Sequence, residues 1–271
     1  MKRILFIIAC FFGLTNWTTI QAQCSSPNTA FQNGETLYYD LYFNWKFVWV
    51  KAGSATMNVT KTTYNSKPAY KTRLITRTSK RVDRFFAMRD TLISYTSMDL
   101  VPRYYYKGAF EGKTYRQEKV WYDYPNGKCN VRMRYQRDQN PPKFANHSSP
   151  YCAFDMISML LRARSFDPAK YKVGHRIQFL MADGRKCEWQ YIVYRGKSTF
   201  QVENSTEKYR CLVFSFVEKE NGKEKEIVKF YITDDRNHLP VRLDMNLNFG
   251  VAKAYLRGAQ GLRNPQTALL K

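Results

Sequence analysis

Acidic residues are few in this sequence, histidines fewer, and no apolar run long enough to span a membrane follows the N-terminal segment. Each scarcity removes a class of function. The three histidines, His147, His175 and His238, lie far apart, and no Cys-x-x-Cys pair occurs, so neither a local zinc site nor a thioredoxin-like redox site is supported. Asp234 and Asp235 lack the alternating oxygen ligands and closing acid of a calcium loop and read as a solvated turn, with His238 a turn residue beside them. No serine or cysteine nucleophile motif is present, and Cys152, at the start of an amphipathic segment, has no assigned histidine partner. Catalytic residues, metals and cofactors are therefore not expected, and a hydrolytic enzyme stands last among the alternatives.

Against 22 Asp and Glu stand 44 Lys and Arg, a formal charge of +22 spread along the whole chain. Such an excess suits an anionic surface. What kind of surface depends on the compartment. Lys2 and Arg3 precede an apolar core from Ile4 to Leu14, followed by a polar stretch and the small Ala22, the layout of an export signal covering residues 1–22 and too short to favour a membrane span. Cleavage after Ala22 is preferred to lipidation of Cys24, because Gln21-Ala22-Gln23 is a poor approach to lipoprotein processing. The mature protein, residues 23–271, is then expected in the periplasm or at the periplasmic face of an outer membrane. Its partners there would be a lipid, an anionic membrane surface, an envelope polysaccharide or another envelope protein, with no nucleic acid expected and the oligomeric state open. Five cysteines remain, Cys24, Cys129, Cys152, Cys187 and Cys211, which permit at most two bridges; their spacing does not say which.

Most of the mature chain alternates or forms short aromatic and β-branched runs. Strands are expected on both sides of Asn44 to Lys46, at Ala69–Thr78 and at Thr91–Thr96. Further strands should flank Glu111-Gly112, Asn126-Gly127, Asp183-Gly184 and Asn221-Gly222. Cys129, Val131, Met133 and Tyr135 alternate with Asn130, Arg132, Arg134 and Gln136, which predicts one dry and one wet face. Short turns favour antiparallel pairing. No repeat and no firm linker interrupts this; the polar stretch Asp138–Pro150 is the only seam.

One segment, from Ser149 to Tyr171, has helical spacing. Ser149 suits a cap, Pro150 the first turn, Asp155 comes late for capping, and the helix should stop near Phe166 because Asp167 precedes Pro168. Asp155, an acid in an apolar stripe, is expected to be exposed or to pair with Arg162, Arg164 or a basic residue of the sheet. The fold class is mainly β: a strongly curved antiparallel sheet or open barrel, in one domain, with this amphipathic helix packed on or into it.

Three stretches, Phe31–Ala55, Tyr151–Arg164 and Ile232–Gly258, resemble the exported Gram-negative proteins of domain-of-unknown-function family 3108. That resemblance implies a largely antiparallel β protein of the envelope and brings no activity or catalytic residue with it. The shape also resembles the helix-plugged open barrels of periplasmic lipoprotein carriers, which implies ligand binding by analogy only.

Aromatic density is the remaining signal. Tyr38, Tyr42, Trp45, Trp49, Tyr104, Tyr106, Trp121 and Trp189, with Met156 and Leu160 from the helix, are candidates to line a β-sheet cavity for a lipid or other amphiphile. The same aromatics would equally fill an ordinary core, or form a surface for glycan. Location discriminates these readings. A closed apolar cavity favours lipid, an open aromatic shelf favours polysaccharide, and neither favours a structural or protein-interaction role.

Overall fold

In a computed structural model the residues described are 24–45, 48–202, 206–220, 223–247 and 250–270, with Trp45, Lys219, Glu220 and Lys223 described by backbone alone. Residues 1–22, read above as an export signal, Phe47 and the expected turn residues Asn221 and Gly222 lie outside them. The first half is a meander. It runs through β1 (Thr36–Trp45), β2 (Val48–Tyr64), β3 (Lys67–Thr78), a single helical turn α1 (Lys80–Asp83), β4 (Met88–Ser97), β5 (Pro102–Glu111), β6 (Thr114–Asp123), β7 (Cys129–Arg137) and β8 (Lys143–Ser149). Then come β9 (Ala153–Phe154), helix α2 (Met156–Ala163), β10 (Arg176–Ala182), β11 (Cys187–Gln201) and β12 (Lys208–Glu220). The chain closes with β13 (Lys223–Thr233), β14 (Pro240–Leu247), β15 (Gly250–Gln260) and β16 (Leu269–Leu270).

All sixteen strands belong to one sheet, in the order 8-7-6-5-4-3-2-1-15-14-13-12-11-10-9, with β16 added beside β12. Pairing is antiparallel except between β9 and β10. The stretch Asp138–Pro150 carries the edge strand β8, so the sheet runs through it. At β2–β3 a two-residue turn uses Asn65 and Ser66, both at positive φ, the conformation that matches strand twist in a tight hairpin.

Period-two alternation sets which face is dry. Val120 and Tyr122 of β6, and Cys129, Val131 and Met133 of β7, point inward and meet Ala153, Leu180 and Ala182 of β9 and β10 in one buried cluster. The two ends of the sheet therefore approach each other across the interior, and the Ala153 amide donates to Cys129 Sγ at 3.4 Å. The product is a nearly closed antiparallel barrel with one principal helix inside its wall. Among the described residues no helix is long and apolar enough to cross a membrane.

The helix begins later than its periodicity suggests. Ser149 stays in β8 opposite Cys129, and Cys152 is held by a disulfide to Cys24. Ala153 and Phe154 then pair with Leu180 and Met181. These pairings keep the backbone extended until Asp155, which is the N-cap itself: its Oδ1 accepts from the Ile157 and Ser158 amides at 3.0 and 2.9 Å, and Ser158 Oγ accepts from the Asp155 amide. Two turns form in place of four. The apolar stripe survives, with Ile157, Met159 and Leu161 buried.

Candidate functional site

Three places concentrate chemistry: the outer wall over β2 to β7, the interior around α2, and one rim of the barrel. On the wall, Tyr95 of β4 lies opposite Tyr104 of β5, Tyr104 opposite Trp121 of β6, and Trp121 opposite Arg132 of β7. Their sequence neighbours Ser94, Tyr105, Val120 and Val131 are buried, so the four side chains face outward. Tyr64, from the far end of β2, joins them with its ring 5.0 Å from Tyr95 and 6.1 Å from Tyr104; Tyr104 is 5.8 Å from Trp121. Cations flank this row. Lys71 Nζ lies 5.7 Å from the Tyr95 ring centre, and the Arg132 guanidinium 4.6 Å from that of Trp121. Cross-strand aromatic pairs of this kind stabilise a sheet, and the half-covered rings raise the Tyr64 and Tyr104 pKa values, chiefly through burial.

Inside, α2 carries a buried charge at each end. Arg164 donates to Glu35 at 2.5 and 2.9 Å and to the Asn237 carbonyl at 3.2 and 3.0 Å. His238 Nδ1 lies 2.6 Å from the Arg164 carbonyl, at the turn before β14. Asp155 therefore pairs with neither Arg162 nor Arg164, because Glu35 occupies Arg164 and Arg162 Nη1 donates to the Cys24 carbonyl. Asp155 instead receives Ser94 Oγ at 3.1 Å, and burial pushes its carboxyl up to about 6. Nearby on the inner face, Thr72 Oγ1, Thr96 Oγ1 and Tyr122 OH are buried with no hydrogen-bond partner among the described residues. Asp90, also inward, has one unpartnered oxygen and is pushed up to about 6, again by burial.

The nine cavity candidates whose side chains are described do not gather in one place. Tyr104 and Trp121 join the wall row, and Tyr106 is beside it with its hydroxyl 3.1 Å from that of Tyr115. Tyr38 is exposed on β1, while Tyr42 packs on the buried Tyr255 at 5.5 Å. Lys253 sits 3.9 Å over the Trp49 ring, and the Trp45 side chain is outside the described residues. Leu160 packs against the core cluster of β1, β2, β14 and β15; Met156 is exposed, and Trp189 is exposed against Tyr151 at 5.2 Å. Tyr64, Tyr95, Lys71 and Arg132 were not among the candidates. Counting outward from the β4–β5 turn, where Thr96 lies opposite Pro102, would set Tyr95 against Arg103; a register shift between Tyr95 and Thr96 brings it opposite Tyr104 instead, so no local signal leads to the row.

Cys24 and Cys152 form the disulfide, with Cα atoms 5.3 Å apart; Cys129, Cys187 and Cys211 are free thiols, the last two pushed up to about 12 mainly by burial. Among the described residues no group of three or more His, Cys, Asp or Glu side chains is placed to hold a metal ion.

No curated protein matches the sequence. A solved structure similar in fold is the β-barrel-like protein of domain of unknown function DUF1849 from Brucella abortus, with a TM-score of 0.54 at 11% identity, over 87% of this chain and 100% of that one. The model of the family described as "Protein of unknown function (DUF3108)" matches residues 38–257, and on that match this barrel-shaped chain belongs to the DUF3108 family.

Proposed function

We propose that the protein is a non-catalytic recognition module of the cell envelope whose outer wall binds an acidic polysaccharide. The observation that carries this reading is the outward row Tyr64, Tyr95, Tyr104 and Trp121 flanked by Lys71 and Arg132. Flat aromatic faces suit the C–H faces of sugar rings, and the two cations suit carboxylates or sulfates spaced along a polymer. An oxidising compartment is supported by the Cys24–Cys152 bridge, and the export-like residues 1–22 agree with it. Titration calorimetry with polygalacturonate and with neutral dextran tests the reading. Binding should be confined to the acidic polymer, and Trp121→Ala should weaken it about tenfold, the equivalent of one good contact. Equal affinity for dextran, or a Trp121→Ala variant that binds as well as the parent, would sink it.

A second reading, an amphiphile held in the barrel, is favoured by the buried unpartnered hydroxyls of Thr72, Thr96 and Tyr122, which would suit a polar head group. Native mass spectrometry of protein purified gently from a bacterial periplasm separates the two. A discrete organic-extractable mass supports the amphiphile; a bare polypeptide, under conditions that keep lipid on a known carrier, counts against it.

A further inference from the structure

The rim formed by the β1–β2, β3–β4, β5–β6 and β14–β15 connections has a chemistry unlike the wall. Antiparallel order places these four connections at the same end of the barrel, and they are neighbours along the sheet. Exposed apolar side chains gather there: Val48 and Val50 on the first hairpin, Phe85 and Phe86 after α1, Phe110 before the third turn, and Leu247 on the fourth. Phe85 is 80% exposed, an unusual position for a phenyl ring facing only water. The tips are also tied together. Phe86 lies over Gly112, close enough that a Cβ there would be 3.4 Å from its ring, and the Gly112 amide donates to the Ala87 carbonyl at 2.8 Å.

Basic residues surround this apolar arc. Asp83 is engaged by Arg89 and Glu111 by Arg116, which leaves Lys80, Arg81, Arg84 and Lys113 without an acidic partner among the described residues. Just below the rim an open groove is lined by Lys51, Arg77 and Arg257 against the single carboxylate of Asp40. Exposed rings at loop tips, ringed by unpaired cations, match the layered chemistry of a bilayer interface: acyl chains beneath, anionic phosphates above. A polysaccharide accounts for the cations but gives Phe85, Val48 and Val50 nothing apolar to enter. A protein partner would need acidic residues around an apolar pocket, and nothing on this rim selects that over a charged bilayer.

We propose that this rim is a membrane-docking edge, in which Phe85, Phe86 and the neighbouring hairpin tips enter the headgroup region of an anionic bilayer while Lys80, Arg81, Arg84 and Lys113 meet its phosphates. The site is separate from the aromatic wall and stands or falls independently of it. Protein processed and purified from a bacterial periplasm is mixed with phosphatidylcholine vesicles, or with vesicles of phosphatidylcholine and phosphatidylglycerol in equal parts, and co-sedimentation is measured. Binding should favour the anionic vesicles and weaken with added salt. Phe85→Ser should lower the partition coefficient about tenfold, the expected effect of losing one buried phenyl group. Arg81→Glu with Arg84→Glu should lower it by roughly fivefold or more per site. Trp121→Ala should leave vesicle binding unchanged, and Phe85→Ser should leave polygalacturonate binding unchanged, so the two surfaces fail separately. Because Phe85 is exposed, its replacement should keep the parent circular dichroism and melting temperature. Equal partition into both vesicle types, no partition into either, or Phe85→Ser and charge-reversed variants that bind as the parent would each overturn the proposal.

Discussion

The two ends of helix α2 pose the same problem and solve it differently. Arg164 and Asp155 are both charged and both buried, at 1% and 0% exposure. At the C-terminal end the guanidinium is paired with Glu35, hydrogen-bonded to Asn237, and lies 5.5 Å from the Phe31 ring centre. At the N-terminal end the carboxylate caps two amides and takes one hydroxyl, yet among the described residues no cation pairs with it, and its surroundings include three hydroxyls without partners there. One end is a closed network joining the residue before β1, the end of α2 and the β13–β14 turn. The other is an incompletely satisfied cluster of polar groups in the same interior. Fully satisfied buried networks hold a structure in one arrangement, whereas each unpartnered buried group costs free energy that water or a ligand would relieve.

The largest effect should follow from breaking the closed end. Arg164→Met leaves Glu35 buried without its cation, which should cost on the order of 3–5 kcal/mol in urea unfolding. Glu35→Gln together with Arg164→Met should recover most of that loss, because no uncompensated charge is then left behind. A single-variant loss below about 1 kcal/mol would mean that Glu35 finds water cheaply, and the contrast between the two ends would disappear.

This contrast was only half legible in the sequence. Period-two runs revealed the strands and the dry face of β7 directly, since alternation is a local property. Asp155 was visible as an acid in an apolar helical stripe. Its role as cap was not, because strand β9 and the disulfide delay the helix start through contacts with Leu180, Met181 and Cys24. Glu35 and Arg164 are 129 residues apart and belong to no local pattern, and the bridged cysteines are 128 apart. The run Tyr104-Tyr105-Tyr106 shows a further limit. Its middle residue is buried and its outer two face the wall, but a one-residue change of register would exchange them. Membership of the aromatic row was thus decided by strand pairing, which composition does not contain. At the rim, the Phe85-Phe86 pair lies outside the strand patterns, and the sequence reading did not single it out.

A second test addresses the charge of the open end. Burial raises the Asp155 pKa from 3.8 in the unfolded chain to about 6. The folded state therefore holds this proton more tightly, and the resulting stabilisation is complete below about pH 4 and lost as pH rises through about 6. Asparagine caps helices as well as aspartate does but does not titrate in this range. Relative to the parent, Asp155→Asn should therefore be most favourable at pH 7.5, with the difference shrinking by on the order of 2 kcal/mol by pH 4. Measuring both proteins across the range cancels Asp90, which titrates in the same direction. A difference independent of pH would show that Asp155 is better solvated than its hydrogen bonds suggest.

The smallest change asks whether the open end is dry. Thr72 lies opposite Ser94 in the β3–β4 register, beside the hydroxyl that donates to Asp155, and its own Oγ1 has no partner. Thr72→Val keeps the branched shape suited to a strand and removes only the hydroxyl. If no water reaches Thr72 Oγ1, the variant should gain about 1 kcal/mol in urea unfolding, because an unpaired buried group has been deleted. A loss of similar size would mean that Thr72 holds an ordered water shared with Thr96 or Tyr122. The same measurement on Thr96→Val then locates that water. A gain at both positions would favour a dry interior and weaken the case for a polar head group within the barrel.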